Sequence, residues 1–194
     1  TVEQIAQNAL PLADSLGWQR FSIMGHSMGG VGIQQVLVAA PERVRSLVAI
    51  TPVSAAGAGF DEQGWQLFSA AGTDGGARRT ILDFTSGNRL TGTWLDAMVA
   101  STKAHSDDEA VAGYMPSWAK ASFVDKISDK KLPVLVLPGE HDLALGEQAC
   151  KDTWMQHYPH AQLQVLANAG HYPMDETPIW LATVVEKFLA GVPE

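Results

Sequence analysis

One cysteine, Cys150, stands in 194 residues. It excludes an internal disulfide, and no group of Cys and His has the spacing of a zinc site, so no metal and no cofactor is expected. Charge is also scarce. Charged residues make up 18% of the chain and hydrophobic ones 46%, the reverse of the balance that keeps a chain disordered. Basic residues are the minority, 13 against 21 acidic, and the formal net charge of −8 argues against nucleic acid and anionic membrane surfaces as partners. No apolar run approaches the roughly 20 residues of a membrane span. The opening TVEQIAQNAL lacks the pattern of a signal peptide, and a cytoplasmic location is expected. There is no internal repeat and no low-complexity linker. The length suits one domain, or one domain with an inserted subdomain.

What is present is a rhythm of strands and helices that stops and then resumes. Residues 1–17 have helical periodicity, with Pro11 inside the pattern expected to kink it and Gly17 at its end. The apolar run Arg20–Met24 reads as a strand, Ser27–Ala40 as a helix closed by Pro41, and Val44–Thr51 as a strand buried on both faces. Between Pro52 and Lys131 no strand-like run occurs. Four helical stretches, near Asp61–Ala71, Gly75–Thr85, Thr91–His105 and Asp107–Ala121, are separated by turn-rich pieces. Then Pro133–Leu137 reads as a strand, Leu145–His157 as a helix, Gln162–Leu166 as a strand and Thr177–Ala190 as a closing helix. Alternating strands and helices predict a doubly wound α/β fold with a parallel sheet. Residues 1–51 and 132–194 are its expected core, and 52–131 a helical insertion.

Three positions carry chemistry. Gly25-His26-Ser27-Met28-Gly29 matches G-x-S-x-G at a strand-to-helix junction, where a sharp turn presents a nucleophile and demands small neighbours at Gly25 and Gly29. The following helix N-terminus aims free N–H groups at the site, which makes the Met28 N–H a candidate oxyanion donor. A serine hydroxyl needs a base, and the base an orienting acid. Asp142 follows the strand Pro133–Leu137, and His171 follows Gln162–Leu166, so Ser27, Asp142 and His171 all sit past strand C-termini on one rim of a parallel sheet.

Other readings are weaker. Glu140 is the alternative acid. Asp175 is expected to cap the last helix, and His26 to pack or hydrogen-bond locally. His157 and His160 read as surface residues, and the run Asp107-Asp108-Glu109 as a solvated first helical turn.

GHSMGG, PGEHD and GHYPMDETP together resemble the α/β-hydrolase superfamily in its branch of small, cofactor-free, esterase-like enzymes. The resemblance implies Ser27 as nucleophile, His171 as general base and acid, Asp142 as the orienting acid, and residues 52–131 as a cap after the sixth strand. A serine nucleophile speaks against haloalkane dehalogenase and epoxide hydrolase relatives. The family sheet has eight strands with the nucleophile after the fifth, so the strands read here correspond to the fifth through eighth and the first four are expected to be lacking. No His-Gly dipeptide supplies the loop that usually carries the second oxyanion donor. The chain is therefore expected to be the C-terminal portion of a longer hydrolase. The alternative is a short form that pairs its exposed sheet edge with another copy.

Trp65, Phe68, Trp94, Met98, Met115 and Trp118 are candidate substrate-binding residues of the cap, because aromatic and Met side chains suit an apolar acyl or alcohol group. Arg78-Arg79 reads as a solvated helix face, and no Arg or Lys cluster marks a carboxylate-reading site. The expected substrate is a small, neutral, moderately apolar ester. C–C bond hydrolysis, lactonase or perhydrolase chemistry, and a non-catalytic ligand-binding or truncated form, remain the alternatives. An N-terminal segment or a second chain completing the sheet, and an oligomer, stay open as partners.

Overall fold

The computed structural model describes residues 1–193. Helix α1 (Val2–Ser15) begins where the Thr1 side chain accepts from the Gln4 N–H, and it runs on through Pro11 as one helix. Strand β1 (Phe21–His26), helix α2 (Gly29–Ala39) and strand β2 (Val44–Ile50) follow. Four helices then occur with no sheet strand between them: α3 (Glu62–Ala70), α4 (Gly75–Thr85), α5 (Gly92–His105) and α6 (Asp108–Ala119). Each starts at a polar cap, Asp61, Asp74, Thr91 or Asp107, whose side chain accepts a backbone N–H of the first turn. Strand β3 (Val134–Leu137), helices α7 (Glu147–Asp152) and α8 (Trp154–His157), the two-residue strand β4 (Gln162–Leu163), and helices α9 (Pro173–Glu176) and α10 (Pro178–Ala190) complete the chain. No helix among the described residues is long and apolar enough to cross a membrane.

The four strands form one parallel sheet in the order β1-β2-β3-β4. β2 is buried along nearly its whole length, as the apolar run Leu47–Ile50 requires, and only Arg45 is half-exposed. One face of the sheet packs against α1, α2, α7 and α8, with Val31, Leu37, Leu47, Val136 and Trp154 in that layer. On the other face Val48, Ile50, Leu135 and Leu137 meet Leu181 and Val184 of α10. β1 is an edge strand. Phe21 and Ile23 turn into the first layer, but Met24, on the opposite face, is 57% exposed.

Three expectations need correction. The helix over 145–157 is broken at Thr153 (φ −122°, ψ −82°), whose hydroxyl donates back to Ala149 O at 2.7 Å. The last strand is two residues long, continued only by a bridge between Gly139 and Leu166. Asp175 lies inside α9, and Thr177, the N-cap position of α10, makes no side-chain cap bond.

The crossing of β1 and α2 also differs in detail from the motif reading. A Cβ on Gly25 would stand 2.3 Å from Gly29 O and 2.8 Å from Ile33 Cγ2, and one on Gly30 would stand 2.6 Å from Val53 O. A Cβ on Gly29 would meet nothing within 4 Å. Gly25 and Gly30, not Gly29, are the positions where backbone approaches backbone. Gly25→Ala should therefore destabilise the fold by about 1–3 kcal/mol, whereas Gly29→Ala should change it by less than about 0.5 kcal/mol. Urea unfolding midpoints of the two variants check this, and equal midpoints would contradict it.

Candidate active site

Ser27 occupies the turn between β1 and α2 with φ +53°, a left-handed conformation that a residue with a Cβ seldom adopts. Three hydrogen bonds hold it there. Its N–H donates to Ile50 O at 3.0 Å, and its carbonyl accepts from Gly30 N at 2.9 Å and Val53 N at 3.0 Å. A strained residue persists only where its surroundings over-determine it, and such residues cluster at functional sites. The next N–H, that of Met28, opens α2 and donates to no acceptor among the described residues.

Asp142 lies in the loop after β3. Its Oδ1 accepts from the N–H groups of Ala144 and Leu145, both at 2.9 Å, and its Oδ2 accepts from His171 Nδ1 at 2.7 Å. Both residues are only 6% exposed. A carboxylate can only accept, so Nδ1 carries the proton and Nε2 is left as the basic nitrogen. Glu140, the alternative acid, instead accepts from Asn168 N–H at 2.8 Å.

The loop bearing His171 is held from several directions. Its N–H donates to Thr85 O at 3.1 Å, and its carbonyl accepts from His26 Nε2 at 2.7 Å and Thr51 Oγ1 at 3.1 Å. On either side, the N–H groups of Gly170 (2.8 Å) and Tyr172 (3.0 Å) donate to the carboxylate of Glu176, which also pairs with Arg89. The Gly139 backbone lies so close to Gly170 that a Cβ on Gly139 would stand 2.0 Å from Gly170 O, which brings the acid loop against the histidine loop. The Tyr172 ring meets the His171 ring edge-on at 5.0 Å, and burial pushes its phenol up to about 12. Glu176, Arg89, Thr51 and the long-range role of His26 are absent from the sequence reading. Glu176 bonds to N–H groups four and six residues before it, whereas Arg89, Thr51 and His26 reach partners 87 to 145 residues away.

Ser27, Met28 and His171 line one cavity of about 430 Å³, a volume typical of small-molecule sites. Ser27 and His171 also line a smaller one of about 130 Å³. No hydrogen bond joins the Ser27 hydroxyl to His171 among the described contacts; such bonds commonly tighten only with substrate bound. Of the cap residues singled out, Phe68, Met115 and Trp118 line the larger cavity. Trp65, Trp94 and Met98 are not among its lining residues. Trp65 stacks under Lys120, whose Nζ is 4.4 Å from the ring centroid. α5 reaches the cavity through Thr102 and the following Ser106. Met98 stands about 6 Å further up that helix axis, and the Trp94 ring meets that of Tyr172, itself a lining residue, at 6.1 Å.

Arg78 requires a larger correction. It is 7% exposed, not solvated, and it lines the larger cavity. It pairs with Asp108 at 3.0 Å, so the acidic run at the start of α6 is not simply a solvated turn either. In the structure Arg78, Leu82 and Thr85, spaced i, i+4 and i+7, share the buried face of α4.

A model of the Alpha/beta hydrolase family matches residues 2–184. Carboxylesterase YbfK of Bacillus subtilis is 26% identical over 179 residues, which cover 92% of this chain and 60% of that protein. The 2-hydroxymuconate semialdehyde hydrolase of Pseudomonas putida is 28% identical over 199 residues, covering 95% of this chain and 67% of its own length. The enol-lactonase from Burkholderia xenovorans LB400 superposes with a TM-score of 0.81 at 24% identity, over 98% of this chain and 73% of that one. The chain thus spans roughly three-fifths to two-thirds of the length of these two curated relatives.

His26 has a measurable signature. Burial, and then the neighbouring His171, lower its pKa from 6.5 to about 4; the bond to the His171 carbonyl and the charge of Asp142 oppose this. The unfolded chain takes up a proton near pH 6.5, and the folded one only near pH 4. Folded stability is therefore expected to fall as pH drops through that window, by on the order of 3 kcal/mol. In His26→Gln this part of the slope should vanish. Unfolding curves taken from pH 7 to pH 4 would refute the assignment if both proteins lost stability in parallel.

Proposed function

We propose that this chain, which belongs to the alpha/beta hydrolase family, is a serine hydrolase that cleaves a small carboxylic ester through an acyl-enzyme on Ser27. One observation carries the reading: Ser27, on its left-handed turn, opens into the same cavity as His171, whose other ring nitrogen is bonded to the buried Asp142. In this reading His171 Nε2 takes the Ser27 hydroxyl proton as Oγ attacks the acyl carbon. The oxyanion then meets the Met28 N–H. His171 returns the proton to the leaving alcohol, and a water repeats the sequence to release the acid. Asp142 stabilises the transient imidazolium and holds the ring in the required tautomer. The apolar walls supplied by Phe68, Met115 and Trp118 suit an apolar half of the ester.

The carboxylesterase among the relatives supports this reading. The enol-lactonase and the semialdehyde hydrolase support a second one, in which the same serine chemistry acts on a lactone or another acyl substrate. The outer edge of β1 is unpaired in the sheet and has Met24 exposed beside it. There a further strand, from an N-terminal segment or a second chain, would pair.

A fluorophosphonate probe is expected to label Ser27 and no other residue. Ser27→Ala should abolish labelling and lower ester turnover by at least about 1,000-fold. Labelling elsewhere, or undiminished turnover in the variant, would remove the assignment. Asp142→Asn should leave Ser27 in place but reduce kcat by about 100-fold or more, because the amide no longer enforces the His171 tautomer. Steady-state kinetics on a panel of acyl chain lengths reads both effects.

A further inference from the structure

The larger cavity is apolar along most of its wall; besides Ser27, His26, His171 and Tyr172, its polar lining residues are Arg78 of α4 and Thr102 and Ser106 at the end of α5. The two hydroxyls are already committed: Thr102 donates to Val99 O at 3.0 Å and Ser106 to Thr102 O at 2.7 Å. Arg78 is not. A guanidinium has five N–H donors and stays ionised at any working pH. Nε donates to Ala71 O, Nη1 to Ser106 Oγ at 2.9 Å, and Nη2 to Gly72 O at 2.9 Å and Asp108 Oδ1 at 3.0 Å. Those bonds use four donors. The fifth, on Nη1, has no acceptor among the described residues.

Charge is left over as well. Asp108, the carboxylate paired with Arg78, is 45% exposed and is shared with Lys103, whose Nζ lies 4.0 Å away, so it offsets the Arg78 charge only in part. Burying an ion whose partners are incomplete is unfavourable. A neutral, wholly apolar substrate would leave that ion as it is.

Ser27 and His171 line both cavities, so the reacting carbon belongs at their junction, with the larger half of an ester in the 430 Å³ space and the smaller in the 130 Å³ space. Arg78 lines only the larger. We propose that Arg78 is a specificity-determining residue, and that the substrate of this site is an ester whose larger half carries a carboxylate that accepts from the spare Arg78 N–H. This rests on the serine-hydrolase reading for the bond that is cleaved, and it replaces the expectation of a neutral ester. A charge-assisted bond of this kind corresponds to a preference of about tenfold or more.

Two matched ester pairs test it: ethyl hexanoate against monoethyl adipate, with the charge on the acyl side, and pentyl acetate against 5-acetoxypentanoate, with the charge on the alcohol side. Each pair is measured for kcat/KM on the full chain and for equilibrium binding to Ser27→Ala, which separates recognition from turnover. In at least one pair the charged ester should be favoured about tenfold, and Arg78→Met should erase that preference. Because Arg78 also ties α3, α5 and α6 together, Arg78→Met risks unfolding the cap; Asp108→Asn supplies the opposite test. It removes the competing carboxylate and should increase the preference for the charged ester. The proposal is overturned if both charged esters bind no better than their neutral partners, or if Asp108→Asn leaves the ratio unchanged. Binding preference without turnover would sustain Arg78 and sink the hydrolase reading. Turnover without preference would do the reverse.

Discussion

The site depends on one backbone conformation, the left-handed Ser27 between β1 and α2. The strain it stores is offset by hydrogen bonds from three directions, to Ile50 O and from Gly30 N and Val53 N. Those bonds require the end of β2 to lie against the turn, and that approach is open only because Gly30 has no Cβ to strike Val53 O and Pro52. Gly25 provides the same clearance beneath the first turn of α2. Sheet pairing, helix crossing and the exposure of one hydroxyl are therefore a single geometric problem with one solution. The Met28 N–H is left free at the helix start as part of that solution.

A second layer of constraint joins loops distant in sequence. Donors from the residue before Ser27 and from Thr51, just past β2, converge on the carbonyl of His171, while Glu176 takes up the N–H groups on either side of it. The His171 ring is thus aimed by its own backbone as much as by Asp142. His26 performs this task through its Nε2–H, since a carbonyl can only accept. Burial keeps it neutral. A residue that reads locally as filler inside the motif couples the serine turn to the histidine loop.

The cap shows how a local reading can be right about an element and wrong about a side chain. All four helices between β2 and β3 were legible, because each has a polar N-cap and a turn-rich boundary, and these act within a few residues. Phe68, Met115 and Trp118 were legible as cavity residues by type. Trp65, Trp94 and Met98, chosen on the same ground, were not separable from them, because residue type does not say which turn of a helix overlooks a cavity. Arg78 was misread because a guanidinium is normally solvated. Its burial depends on carbonyls at the end of α3 and a carboxylate on α6, contributed by segments up to 30 residues away.

The alternation of strands and helices, its interruption by a helical segment, the strand-to-helix turn at Ser27, and the chain order of Ser27, Asp142 and His171 are all legible in the sequence alone. These follow from periodicity, capping and turn chemistry, whose physical range is a few residues, and from the rule that loops past parallel strands share one rim. Only the tertiary structure decided that Gly30 rather than Gly29 is the tight glycine, that the helix after β3 breaks at Thr153, and that His26 and Thr51 hold the His171 carbonyl. It alone placed a cation in the wall of the apolar cavity. Each of these depends on distances between segments far apart in the chain, which close packing sets and local propensity does not encode.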